Sequence, residues 1–258
     1  LRVKGGQLVE EAARVGVANL LAESMTAGTM NRTPEELEQA IDLLGASINV
    51  SAGAESFSIR GSTLARNYSA TMALVQEMLL EPRFDVEEFE RSKQRVANGL
   101  RQRAASPTGI AGDVFQSLLY GEHVLAGNRL GSLETIDQIT IDDLRAYHAT
   151  ALRPGAAAFH VSGAVSQAEA TAPLDRLRDE WAGEAPVMPA PPQWSDERAG
   201  LYFVDVPNAS QSVLRIGYLA LAETDRDYWP ASVMNFRLGG GGFASDLTQG
   251  LREQRGYT

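Results

Sequence analysis

The sequence predicts an α+β protein: an α/β sandwich domain, with a mixed, mainly antiparallel sheet covered by helices, repeated in tandem and truncated in its second copy. Three observations carry this expectation. Segments with apolar residues at helical spacing are interleaved with short alternating or continuous apolar runs, the mixture expected when helices cover a sheet. A proline-rich linker, residues 184–198, separates a first domain at 1–183 from the start of a second at 199–258. Beyond that linker the order of strands, apolar helix, glycine stop and second helix returns. The stretch GTMNRTPEELEQAIDLLG compares with GGGGFASDLTQGLREQRG, a weak internal repeat.

Taken in order, LRVKGGQ has the pattern of a strand tail entering a turn. GVANLLAESMTAGT is a helix whose Val17, Leu20, Leu21 and Met25 face inward, leaving Asn19, Ala22, Glu23 and Ser24 on a polar face. In NRTPEELEQAIDLLGA, Thr33 caps, Pro34 suits the first turn, and Glu35 and Glu36 favour the positive helix end. Leu37, Ala40, Ile41 and Leu44 form its buried stripe, and Gly45 stops it. SINVSAGAESFSIRGS is a hairpin turning at Gly53.

Residues 66–80 form an apolar helix. DVEEFERSKQRVANGLRQRA is a long amphipathic one with Phe89, Val96 and Leu100 on a single side. Ser106 and Pro107 open the next helix, and Thr140 with Asp143 has the spacing of a capping box in TIDDLRAYHATAL. AAAFHVSGAV is expected as a buried strand, followed by a charged helix with Leu174 and Leu177. After the linker, LYFVDVP and SVLRIGYLAL are expected strands. A helix around PASVMNF, the run Gly239, Gly240, Gly241 and Gly242, and a helix in SDLTQGLREQR complete the chain.

Composition removes several functions. A net charge of −10 argues against nucleic acid, which needs clustered Lys and Arg. No apolar run is long enough to span a membrane. The absence of cysteine rules out disulfides, iron–sulfur clusters and thiolate zinc sites. His123, His148 and His160 are too scattered for a local metal motif and are expected to be structural. The glycine run lacks the Lys-Ser/Thr end of a phosphate loop. It predicts a tight turn, with a substrate-sensing loop as the other reading. With no initiator Met and an end just after Gly256, the sequence is expected to be a fragment of a longer chain.

Taken together, several motifs resemble the pitrilysin/insulinase-type zinc peptidases, the H-x-x-E-H inverzincins. GVANLLAESMTAGT is similar to that family's zinc helix, and EPRFDVEEFERSKQRV to its later acidic helix. YGEHVLAGNRLGSLETIDQITIDDLRAYHA and LGGGGFASDLTQGLREQRGYT resemble its loop-and-helix segment and its second-domain signature. On this resemblance Asn19 stands at the first zinc histidine, Ala22 at the general-base glutamate, Glu23 at the second histidine and Gly99 at the third ligand. Zinc catalysis needs imidazole or carboxylate ligands and a base beside the bound water. This chain is therefore expected to hold no metal or other cofactor and to hydrolyse nothing alone.

The resemblance implies a non-catalytic subunit of a heterodimeric zinc metalloendopeptidase that binds substrate and closes a chamber around peptides or unfolded polypeptide. Zinc is then expected in a homologous partner carrying an intact H-x-x-E-H. Arg252 and Tyr257 match the family's substrate-contacting Arg and Tyr. The strand near Ile48 to Ala52 matches its peptide-holding strand, expected at a sheet edge with small neighbours Ser47, Ser51 and Ala52, as a vestigial peptide cleft. The other function is a purely structural core-type scaffold with no peptidase partner, although a scaffold has no reason to keep Arg252 and Tyr257. The compartment is undecided by the residues, with the periplasm favoured from family habit over the cytoplasm, and a bacterial source is expected.

Overall fold

Four strands, β1 (Arg2–Lys4), β2 (Ser47–Ala52), β3 (Ser56–Ser62) and β4 (Ala157–Ala158), form one sheet in the computed structural model. The model describes residues 1–193 and 195–257, so Trp194 of the linker and the terminal Thr258 lie outside the described residues. The sheet order is β2-β3-β1-β4, with every neighbouring pair antiparallel. Helices α1 (Val17–Thr26), α2 (Pro34–Leu43), α3 (Tyr68–Leu80), α4 (Val86–Ala104), α5 (Pro107–Tyr120), α6 (Leu133–Gln138), α7 (Ile141–Ala151), α8 (Gln167–Thr171) and α9 (Asp175–Glu180) accompany it. All of these belong to one compact unit, Leu1–Ile216. A second unit, Gly217–Thr258, contains α10 (Tyr228–Asn235) and two π-helical turns, Phe236–Gly240 and Thr248–Glu253.

Local signals account for most helix starts. Thr33 accepts from Glu36 N–H while the Glu36 carboxylate accepts from Thr33 N–H, so both expected halves of that cap form. Thr140 and Asp143 do the same for α7. Asp85 accepts from the N–H groups of Glu87 and Glu88 at the head of α4, and these bonds hold its carboxyl below the usual carboxylate range. Ser106 precedes α5 as expected, but its side chain makes no capping bond, and Pro107 alone sets the first turn.

Helix α1 lies in the middle of the first unit. Leu20, Leu21 and Met25 are completely buried there, in a cluster with Val3, Phe57 and Ile59 of the sheet and with Val96 and Leu144 of the helices. Its start is fixed by a buried acid from outside the helix. Glu10 accepts from Gly16 N–H at 3.1 Å and from Ala18 N–H at 2.7 Å. Gly16 adopts φ +109°, and a Cβ there would lie 2.8 Å from Ile136 Cδ1 and 2.9 Å from the Leu130 carbonyl, so only glycine fits. Burial pushes the Glu10 carboxyl up to about 7, although the two N–H bonds pull the other way.

Three expected strands fail for a common reason. AAAFHVSGAV pairs only at Ala157 and Ala158, because β1 offers partners at Val3 and Arg2 alone; residues 160–164 are exposed, His160 among them. LYFVDVP and SVLRIGYLAL contain no strand, and Leu201, Phe203 and Ile216 are 98%, 87% and 94% exposed. Extended chain becomes a strand only where a neighbour takes up its N–H and C=O groups. Among the described residues no ladder pairs with 201–221. The charged helix after β4 is broken at Pro173 into α8 and α9, with Leu177 buried and Leu174 half-buried.

Candidate functional site

The polar face of α1 meets the middle of α4. Ala22 is buried and contributes only a methyl group to the core. Asn19 and Glu23, one turn apart, are joined by a bond from Asn19 Nδ2 to Glu23 Oε1 at 3.3 Å. The other carboxylate oxygen is taken from across the helix pair, by the Arg95 guanidinium of α4 at 3.1 Å. Arg95 also donates to Ser92 Oγ at 2.7 Å. Gly99 follows Arg95 by one turn on α4, exposed, with open space where a Cβ would be.

The chemistry of this cluster follows from its parts. Glu23 is the one acid among these four positions, and both its oxygens are engaged, one by an amide and one by a fixed cation. With both partners substantially exposed, the ion pair contributes about 1 kcal/mol or less to stability. Its consequence is electrostatic: a guanidinium sits against the carboxylate that would have to meet a metal ion. An amide, a methyl, a paired carboxylate and a glycine do not fit zinc, and the Ala22 methyl cannot take a proton from water. Among the described residues, no three His, Asp or Glu side chains gather into a metal-binding group. Sequence reasoning missed Arg95. Its signal was a basic residue one helical turn before Gly99, the position the resemblance matches to a third ligand.

Strand β2 borders the sheet and pairs with β3 alone. Val50 and Ala52 are buried and Ile48 half-buried, while Ser47, Asn49 and Ser51 are exposed on the opposite face. The expected edge strand is therefore present, with Ser47 and Ser51 outward as small residues, whereas Ala52 turns into the core.

In the second unit, Arg252 lies on the turn Thr248–Glu253 with its guanidinium over the Phe243 ring, 5.7 Å from the centroid. Gly256, at φ +66°, reverses the chain so that Tyr257 N–H reaches the Leu251 carbonyl at 3.0 Å. The backbone thus returns Tyr257 to the end of the turn that carries Arg252. Its side chain is 71% exposed. Gly239 and Gly240 close the first π-helical turn, and Gly241 N–H bonds the Phe236 carbonyl at 2.7 Å. Gly242, at φ +58°, then changes direction, so the run forms a compact turn. His148 is half-buried, its Nε2 2.7 Å from the Leu79 carbonyl, and desolvation lowers its pKa. His123 caps a short turn by accepting from Leu125 N–H.

Comparison with known proteins gives two family matches in tandem. The insulinase (peptidase family M16) model matches residues 1–128, and the peptidase M16 inactive-domain model matches residues 138–258. An uncharacterized zinc protease of Mycobacterium leprae is 26% identical, over 97% of this chain and 57% of its own length. The non-peptidase homolog YmxG of Helicobacter pylori is 24% identical, over 99% of this chain and 59% of its own. The chain thus spans a little over half the length of these curated relatives. A crystal structure of a peptidase M16 inactive domain from Pseudomonas fluorescens superposes with a TM-score of 0.85, at 24% identity, over 99% of this chain and 62% of that one. No helix among the described residues is long and apolar enough to cross a membrane.

Proposed function

Because the chain belongs to the M16 (insulinase) peptidase family, we propose that it is the non-catalytic, substrate-binding and chamber-forming subunit of a heterodimeric zinc metalloendopeptidase. The observation that carries this reading is the α1–α4 cluster: Ala22 where a base is needed, and Glu23 tied to Asn19 and Arg95 where ligands are needed. Hydrolysis then belongs to a homologous partner that carries an intact H-x-x-E-H and the zinc. The substrate class is peptides or unfolded polypeptide, which the open main-chain edge of β2 suits. Extended chain adds to a sheet edge through backbone bonds and needs little sequence specificity.

Arg252 and Tyr257 supply this subunit's contribution to chemistry performed in the partner. Peptide hydrolysis places negative charge on the former carbonyl oxygen, and donors aimed at that oxygen lower the barrier by a few kcal/mol. A phenol and a guanidinium are both such donors. Replacing Tyr257 by Phe is expected to lower turnover of the assembled pair about tenfold with dimerisation intact, measured by peptide cleavage after the complex is isolated by size exclusion. A Phe variant equal to wild type in turnover and substrate affinity removes Tyr257 from the mechanism. If no homologous H-x-x-E-H chain gains peptidase activity from this one, the protein is a scaffold instead.

A further inference from the structure

The open edge of β2 is partly closed at one end by Arg129. Gly53 N–H bonds the Ser56 carbonyl at 2.8 Å. Counting back along the register, Ser51 with Ser58 and Asn49 with Arg60 are the hydrogen-bonded pairs. The N–H and C=O groups of Ile48, Val50 and Ala52 therefore point away from β3, into the space where another strand would add. One of them is already taken. Arg129, from the segment between α5 and α6, donates from Nη1 to the Ala52 carbonyl at 3.1 Å.

Arg129 is exposed, and among the described residues its guanidinium has no other hydrogen-bond or ionic partner. A guanidinium carries five N–H donors and matches a carboxylate in a two-pronged fork. One donor fixed on Ala52 orients the plane, and the remaining donors stand at the end of the strand-addition groove. A neutral peptide main chain finds its bonds at Ile48 and Val50, and at the end of the edge it meets a cation.

We infer that Arg129 is a specificity-determining residue of this edge, selecting extended peptide segments that place a carboxylate beside Ala52. The carboxylate is supplied either by an acidic side chain or by the peptide's own C-terminus. This inference rests on the strand-addition reading above.

The test uses the whole chain and fluorescein-labelled seven-residue Thr/Val peptides, followed by fluorescence anisotropy. One peptide is amidated and neutral, one amidated with a terminal Asp, and one ends in a free carboxylate. Wild type is expected to bind one or both carboxylate peptides about five- to tenfold more tightly than the neutral one, and which of them gains identifies the source. Arg129→Gln is expected to erase that preference and leave the neutral peptide's affinity unchanged. Val50→Pro removes an outward N–H and no bond of the β2–β3 ladder, a position where an edge strand tolerates proline, and is expected to abolish all binding. Peptides N-methylated at alternate residues give the same readout without altering the protein. Equal binding of neutral and carboxylate peptides by both wild type and Arg129→Gln, with Val50→Pro still abolishing it, overturns the role of Arg129 and leaves strand addition standing. No binding of any peptide to wild type overturns both.

Discussion

A chain carrying Asn19→His, Glu23→His and Gly99→Glu together with Arg95→Ala is expected to bind one zinc ion at micromolar affinity or tighter, while the native chain binds none stoichiometrically. Positions 19 and 23 are one turn apart on the same face of α1, so two imidazoles there can share an ion. Gly99 lies in open space, which admits a glutamate side chain. Two histidines and a carboxylate form a three-ligand set with a position left for water. Zinc bound by full protein ligand sets is held with about 10–16 kcal/mol of apparent free energy. An imperfect set therefore still reaches the roughly 8 kcal/mol of a micromolar complex.

Arg95 has to go because a guanidinium held 3.1 Å from Glu23 would face the incoming dication at close range. Retaining it is expected to weaken zinc binding by about tenfold or more, the scale of a cation brought within ~4–6 Å of another charge. Metal analysis after dialysis, with calorimetry for affinity, makes the measurement. Stoichiometric zinc in the native chain overturns the account of this site. So does a folded fourfold variant that takes up none.

Stability is expected to fall by about 3 kcal/mol as pH rises from about 4.5 to about 7, through Glu10 alone. Below its ordinary value of 4.5 the carboxyl is protonated in both states and contributes nothing to the pH dependence. Between there and its folded value of about 7, the unfolded chain ionises while the folded chain keeps its proton. The unfolded state then binds fewer protons, so folding weakens with rising pH. Above about 7 both states are ionised and the loss is complete.

Tyr147 is the neighbour that shares this buried space: burial raises its own pKa, the Glu10 charge raises it further, and its hydroxyl donates to the Gly6 carbonyl at 2.8 Å. His148 acts with the opposite sign. Its folded pKa lies below 6.5, so the stability it contributes is lost as pH falls. The difference between wild type and Glu10→Gln isolates Glu10, since glutamine costs one N–H bond at every pH but does not titrate. Urea denaturation at half-unit steps from pH 4.5 to 7.5 is the measurement, and parallel curves for the two proteins would show that Glu10 is not the source.

The sequence by itself determined the parts whose causes are local. Caps such as Thr33 with Glu36 and Thr140 with Asp143 act over three residues, the inward stripe of α1 acts over two or three turns, and the β2–β3 hairpin is closed by its own turn. The positions that the family resemblance assigns to the zinc site could be named for the same reason, since Asn19, Ala22 and Glu23 lie in one short helical segment. Only the tertiary structure decided what surrounds them. Arg95 is 72 residues from Glu23, Arg129 is 77 from Ala52, and the acid that fixes the start of α1 becomes unusual only when buried. Strands are decided at this level as well. LYFVDVP and β2 both carry strand-like patterns, yet one becomes a strand and the other stays exposed. A helix satisfies its backbone within itself, whereas a strand depends on a neighbour that may lie anywhere in the chain.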